Sequence, residues 1–254
     1  MSKLRQPERV AITGAAGFLG QQLSNVLAAQ FPVRVLDVRK VDGPWESLEG
    51  SVATLEDDLA LCRGCSDLVI SHMAPNRPEV YATPEVPMDI NVKGVANLFH
   101  AAAQCGVRRV VLISSITVVG LQQKNGEFLE RSLPPRPINL YSLTKTCQEA
   151  IAEYYHREAG LEVAILRPAY ICDESTVTDK YGVRRPSVNW QFIDPRDIAE
   201  AARLALVAPE LKFETFYTVG HPDGDLHCDV RHTREFLGWS PRHTFEMYPR
   251  DSVA

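Results

Sequence analysis

Val10-Ala11-Ile12-Thr13 is a short apolar run that leads straight into Gly14-Ala15-Ala16-Gly17-Phe18-Leu19-Gly20, after which Leu19, Leu23, Val26 and Leu27 recur at helical spacing. So short and continuous an apolar run predicts a strand covered on both faces, followed by a glycine turn and a helix over Phe18 to Phe31. The same alternation continues along the chain. Val33 to Leu36 reads as a second strand, Val52 to Leu55 as a third, Leu59 to Cys62 as a short helix and Leu68 to Ile70 as a fourth strand. Pro84 and Pro87 precede a helix over Met88 to Cys105 that ends at Gly106, and Arg109 to Ser114 is a fifth strand. Tyr141 to Ala159 is a long helix stopped by Gly160, with a sixth strand over Leu161 to Leu166 before Pro168. Asp194 to Val207 reads as a helix, Phe213 to Val219 as a late strand and Thr233 to Leu237 as a small terminal helix. Strands alternating with helices predict an α/β fold with a doubly wound parallel sheet, because parallel neighbours need crossover connections. The loops over Gly120 to Asn139 and Cys172 to Asn189 are long for a compact domain, and such loops often cover a ligand.

Composition removes several function classes. The chain of 254 residues is 45% hydrophobic, too apolar for a disordered protein and of a size for one domain with at most a small appendage. Twenty-seven Lys and Arg against 32 Asp and Glu give a net charge of -5, so no positive field gathers phosphates and no nucleic-acid partner is expected. The stretch Val110 to Leu121 is broken by Ser114, Ser115 and Thr117 and falls short of the roughly 20 apolar residues of a spanning helix, so no membrane partner is expected. Met1 to Arg9 is polar and lacks the apolar segment of a secretory signal, which makes the cytoplasm the expected location. Cys62 and Cys65 form a C-x-x-C, but no second Cys/His pair follows at finger spacing, and no metal is expected.

The glycine turn carries the first chemical signal. Between a strand and a helix, glycines let the backbone approach a pyrophosphate, whose charge is met by unpaired N–H groups and the positive helix end. Asp37, at the end of the next strand, would accept hydrogen bonds from an adenosine ribose diol and repel a 2′-phosphate, which favours NAD over NADP. Arg39 and Lys40 follow closely and can soften that exclusion. Tyr141 and Lys145 lie four apart on one helix face. A phenol with a pKa near 10 is a poor base at neutral pH, and an adjacent ammonium favours the phenolate. Ser115 ends a strand, where its hydroxyl can hold a substrate oxygen while Tyr141 exchanges a proton.

These motifs, in this order, resemble the extended short-chain dehydrogenase/reductases of the NAD-dependent epimerase/dehydratase superfamily over nearly the whole chain. Thr13 to Gly20 matches the T-G-x-x-G-x-x-G loop, and His72-Met73-Ala74 is similar to the H-x-A stretch beside the cofactor. Asn91-Val92-Lys93-Gly94 with Asn97-Leu98 resembles the N-V-x-G-x-x-N-L helix, Ser114 to Gly120 the segment of the catalytic serine, and Tyr141 to Lys145 the tyrosine-lysine pair. The resemblance implies a Rossmann-type core over residues 1–168 and a small substrate-binding portion over 169–254, interleaved with the last sheet elements. It implies Ser115, Tyr141, Lys145 and the proton-relay asparagine Asn91 as catalytic residues. It implies cofactor contacts from Gly14, Gly17, Phe18, Leu19, Gly20, Asp37, Met73, Ala74, Tyr141, Lys145 and Pro168, and from Asp58-Leu59 as the acidic-aliphatic pair flanking the adenine. Asp197 falls in a segment that mainly organises structure, and Cys65-Ser66-Asp67 resembles the ordinary G-C-D entry to the fourth strand. The helices from Met88 and from Tyr141 resemble those that pair in homodimers.

Within the superfamily, nucleotide-sugar dehydratases place Asp-Glu after the catalytic hydroxyl residue, where this chain has Ile116 and Thr117. Sugar dehydration thereby loses its acid and base. The compact length, the short segment between Arg167 and Trp190 and the ending Asp229 to Trp239 resemble uronate dehydrogenases, which oxidise free sugar acids. There an arginine shortly before a tryptophan binds the substrate carboxylate, and Arg185 stands in that place before Trp190. Those enzymes carry Asn-His where Ile116 and Thr117 stand, so the sugar-acid class is favoured over one particular uronate. Asn76, Arg77, Ser115, Ile116, Thr117 and Arg185 are the expected substrate contacts. The expected activity is hydride transfer between a sugar or sugar-acid hydroxyl and NAD. A nucleotide-sugar 4-epimerase or ketoreductase, and a non-catalytic NAD-binding regulatory protein, are the alternatives.

Overall fold

The computed structural model describes residues 4–75, 81 and 83–251. Its strands are β1 (Val10–Thr13), β2 (Val33–Asp37), β3 (Glu46–Glu49), β4 (Asp67–Ile70), β5 (Arg109–Ile113), β6 (Glu162–Pro168), β7 (Tyr170–Asp173), β8 (Thr178–Asp179), β9 (Phe192–Ile193) and β10 (Phe213–Thr218). Its helices are α1 (Phe18–Ala28), α2 (Leu55–Cys62), the single turn α3 (Glu85–Pro87), α4 (Gly94–Cys105), the short α5 (Gly120–Lys124), α6 (Leu140–Ala159), α7 (Pro195–Val207) and α8 (Val230–Leu237). Seven strands make one sheet in the order β10-β6-β5-β4-β1-β2-β3, and every neighbouring pair is parallel. This is the Rossmann-type doubly wound sheet.

Residues alternate across the pleat, so each strand feeds two cores. Val10, Ile12, Val35, Val111 and Ala164 pack toward α1 and α7 on one face. Ala11, Leu36, Leu68, Val110 and Val163 pack toward α2, α4 and α6 on the other. The strand order reverses between β1 and β4, and in such sheets the crevice beyond the strand ends at that reversal receives ligands.

Two elements differ from the expectation. The third strand is Glu46–Glu49, not Val52 to Leu55. A strand at the sheet edge needs little apolar cover: only Leu48 packs inward, while the carboxylate of Glu46 pairs with Arg34 Nε at 2.8 Å. Val52 is instead buried in the turn after β3, and Thr54 starts α2. The expected helix from Met88 to Cys105 is interrupted by a widened turn over Met88–Lys93, in which the Gly94 N–H reaches back five residues to the Asp89 carbonyl.

α6 begins with a reciprocal cap. Asn139 Oδ1 accepts the Ser142 N–H at 2.8 Å, and Ser142 Oγ accepts the Asn139 N–H at 3.0 Å. The cap fixes the first turn, which carries Tyr141. A small second sheet, β8-β7-β9, rests on its own cluster of Cys172, Val177, Val188, Phe192 and Phe245 and brings residues 170–181 to the cleft. The carboxylate of Asp197 anchors the end of the chain by accepting the N–H groups of Arg242 and His243, each at 3.0 Å.

Candidate active site

A cleft of about 1050 Å³ opens at the ends of β1, β2, β4, β5 and β6. Its floor at one end is the glycine loop. Gly14 has φ +73°, and a Cβ there would lie 2.7 Å from the Cα of His72; a Cβ on Gly20 would lie 1.9 Å from the Gly14 carbonyl oxygen. Only bare backbone fits, and α1 starts directly behind it. Asp37 stands at the rim, where Oδ2 accepts the Ala16 N–H at 2.9 Å, and Arg39 reaches the Ala16 carbonyl at 3.4 Å. A glycine cradle at a helix start with a carboxylate after the second strand suits the pyrophosphate and ribose of a dinucleotide.

Beneath the middle of the cleft lies a hydrogen-bonded layer. His72 Nε2 faces the Ile90 carbonyl at 3.1 Å, so that nitrogen carries the proton, and Nδ1 accepts from the Thr13 hydroxyl at 3.0 Å. Burial, with the charge of Lys145 adding to it, pulls His72 down to about 3, so it stays neutral. The buried Asn91 accepts the Ala74 N–H at 2.7 Å through Oδ1 and donates to the Thr144 hydroxyl at 3.2 Å. Asn91 does not line the cleft; it fixes the backbone that does.

Ser115, Tyr141 and Lys145 line the cleft together, although they come from the end of β5 and two turns of α6. Ser115 Oγ lies 2.9 Å from Thr117 Oγ1 and accepts the Thr117 N–H at 3.2 Å. Lys145 Nζ lies 5.9 Å from the centre of the Tyr141 ring and donates to the Ile113 carbonyl at 2.7 Å and to Gln148 Oε1 at 3.0 Å. Burial and then the nearby Lys180 charge lower Lys145 to about 7, against the opposing pull of Glu149. That carboxylate is committed elsewhere: Arg167 grips it with two bonds of 2.9 and 2.7 Å, and Ser114 adds one of 2.6 Å. Such an arrangement can take a proton from a hydroxyl held between Ser115 and Tyr141.

Gly14, Gly17, Phe18, Leu19, Gly20, Asp37, Met73, Ala74, Thr117 and Pro168 also line the cleft. Several expected residues do not. Asp58 and Leu59 lie on α2, outside the lining, and Asp58 is fully buried with neither carboxylate oxygen hydrogen-bonded. Because β3 ends at Glu49, the loop after it meets the cleft through Gly50, Ser51 and Val52, earlier in the chain than the acidic-aliphatic pair. Ile116 turns inward and is buried in the core beside α1 and α7. Arg185 is absent from the lining; it stacks on Tyr170 and donates to the Tyr170 hydroxyl and to Asp179 Oδ2, and both partners do line the cleft. Asn76 and Arg77 lie outside the described residues.

Lys180 went unnoticed in the sequence. Its Nζ lies 5.6 Å from the centre of the Tyr141 ring and 5.1 Å from that of Tyr181. The turn after β8 is the reason, and no local spacing signals it. Cys62 and Cys65 are buried, and burial pushes both thiols up, which suits packing rather than ligation. Among the described residues no group of three or more His, Cys, Asp or Glu could hold a metal ion.

Residues 10–180 match the model of the NAD dependent epimerase/dehydratase family. The chain belongs to that family. It is similar to an L-arabinose 1-dehydrogenase (NAD(P)(+)) of Haloferax volcanii, 25% identical over 92% of this chain and 96% of the relative. It is also similar to a uronate dehydrogenase of Pseudomonas syringae pv. tomato, 28% identical over 94% of this chain and 84% of the relative. The crystal structure of uronate dehydrogenase from Agrobacterium tumefaciens superposes with a TM-score of 0.76 at 25% identity, covering 97% of this chain and 91% of that one. The chain is thus an NAD(P)-dependent enzyme of the short-chain dehydrogenase/reductase type.

Proposed function

We propose that this family member is a dehydrogenase that oxidises a secondary or hemiacetal hydroxyl of a small sugar or sugar acid, uronate-like in class, with NAD. The reading is carried by one observation: Ser115, Tyr141 and Lys145 line the same cleft as Gly14, Gly20 and Asp37. NAD, when bound, supplies the acceptor for the hydride that leaves the substrate carbon. Tyr141 takes the hydroxyl proton as base, and Ser115 holds the oxygen from which it leaves. The Lys145 ammonium favours the phenolate by charge and would hold the nicotinamide ribose of a bound dinucleotide. Asn91 supports this group from below by fixing Ala74 and Thr144. Asp37 favours the ribose diol of NAD over a 2′-phosphate. Relatives named for L-arabinose and for uronates support the sugar class. For an acidic substrate, Lys180 joins Lys145 as a lining cation beside Tyr141.

The test is an absorbance screen for NADH or NADPH formation across aldoses, uronates and nucleotide sugars. Net NADH release from a free sugar or sugar acid supports a dehydrogenase, whereas interconversion of nucleotide sugars without net reduction supports an epimerase. Tyr141→Phe should bind NAD within about twofold of the parent yet lose roughly two to four powers of ten in turnover. Retained turnover would remove Tyr141 from the mechanism.

A homodimer through α4 and α6 accompanies this reading, supported by Leu143 and Tyr154, which are exposed on α6; sedimentation at monomer mass would contradict it. The reducing cytoplasm is the proposed location, supported by six free thiols. Among the described residues no helix is long and apolar enough to cross a membrane.

A further inference from the structure

Lys145 is held by a residue outside the tyrosine-lysine pair. Three residues beyond it on α6, Gln148 is completely buried, an expensive place for an amide unless both ends are paired. Both are. Gln148 Nε2 donates to the main-chain carbonyl of Asn91 at 2.7 Å, and Gln148 Oε1 accepts from Lys145 Nζ at 3.0 Å. The amide has only one workable orientation, because a flip would set oxygen against a carbonyl and NH₂ against an ammonium. The Asn91 carbonyl belongs to the widened turn over Met88–Lys93, which brings an acceptor to α6 from 57 residues away in sequence. We propose that Gln148 is a positioning residue for Lys145: it ties the ammonium to the Asn91 carbonyl with protein atoms alone and leaves one N–H for the cleft.

The count of donors supports this. An ammonium has three N–H groups, and here one goes to the Ile113 carbonyl and one to Gln148. The remaining donor is on the group that lies 5.9 Å from the Tyr141 ring centre. Among the described residues, Tyr141, Lys180, Glu149 and His72 are the charged and titratable groups that face Lys145. Lys180 repels the ammonium, His72 is neutral, and Glu149 is engaged by Arg167. Glu149 still favours the charge from a distance, and Gln148 is the side-chain acceptor that the Lys145 ammonium touches directly. An amide does not readily pass a proton as a water would, so Gln148 also closes the inner route between Lys145 and Asn91. The proton taken by Tyr141 leaves on the cleft side.

The inference rests on the proposed roles of Tyr141 and Lys145, and its test separates the two. Gln148→Met fills the space but offers no acceptor and excludes water; Gln148→Ala opens a polar space in which water can bridge Lys145 and Asn91. A residue that merely packs predicts Met to match or exceed Ala in both thermal midpoint and turnover. A positioning residue predicts opposite orders: Met above Ala in midpoint, but at least about tenfold below it in kcat, with KM changed far less. Lys145 should also lose its proton about one pH unit earlier in Gln148→Met, moving the alkaline limb of the rate profile down by the same amount. Nitrogen NMR of Lys145 Nζ in the protein without dinucleotide, assigned with Lys145→Ala, reads that change directly. Parallel orders of stability and turnover, or an unmoved Lys145 titration, would overturn the proposal. Tyr141→Phe, measured alongside, reports separately on the proton-transfer reading: full turnover there would overturn that reading whatever Gln148 does.

Discussion

Asp58 gives the sharpest quantitative test of where the cofactor cleft ends. The carboxyl is fully buried on α2, has no hydrogen-bond partner and lies beside Asp57, and burial followed by that like charge raises it to about 8. In the unfolded chain it titrates at the ordinary 3.8. The folded protein therefore holds a proton that the unfolded chain releases, and stability falls as pH rises from about 4 to about 8, then levels. At pH 7 the two values differ in free energy by about 4 kcal/mol, from 1.36 kcal/mol for each tenfold difference in proton affinity. Asp58→Asn removes the linkage while keeping size and polarity. The stability difference between variant and parent should swing by about 5 kcal/mol between pH 4 and pH 8: because the amide is itself without a partner, the variant loses about 1–3 kcal/mol near pH 4 and gains about 2–4 kcal/mol at pH 8. For a chain of this length that is a rise of roughly 5–15 °C in midpoint, readable in melts at pH 4.5, 6 and 8. NAD affinity by calorimetry should stay within about twofold, because Ser51 and Val52 line the cleft and Asp58 does not. A gain independent of pH, or a large loss of NAD affinity, would refute the argument.

Two further substitutions probe the cleft. Gly20→Ala forces a Cβ into the Gly14 carbonyl, so the loop must shift and the NAD dissociation constant should rise at least about tenfold in a titration of nucleotide fluorescence, with the circular dichroism of the fold kept; unchanged affinity would show that the close approach is not needed. Arg185→Ala should lower kcat/KM for neutral and acidic sugars to a similar degree, since Arg185 holds Tyr170 and Asp179 rather than facing the cleft. A loss of about tenfold or more confined to acidic sugars would instead make it a direct carboxylate clamp.

The parts of this protein legible in its sequence are those encoded by neighbours along the chain. Buried parallel strands advertise themselves as continuous apolar runs, as in Val10 to Thr13, and Tyr141 and Lys145 share a helix face by spacing alone. The edge strand Glu46–Glu49 is hidden because one side faces water and its charge is met by Arg34, and with it went the register that decides which residues reach the adenosine end. Asp58 matched a motif by letters, yet a carboxylate on the fourth residue of α2 cannot stand where the preceding loop stands.

What sets the charge in the cleft is tertiary, and here the helix spacing even misleads. Glu149 lies four residues after Lys145, a pairing that would neutralise the ammonium on an isolated helix. In the folded protein Arg167, from the end of β6, takes both carboxylate oxygens, while Gln148 reaches the Asn91 carbonyl that the widened turn presents. The ammonium beside Tyr141 thus forms no ion pair with Glu149, because Arg167 holds that carboxylate, while the amide that does bond Lys145 is itself held by the Asn91 carbonyl. A helix copied out of this chain would keep the motif and lose the field.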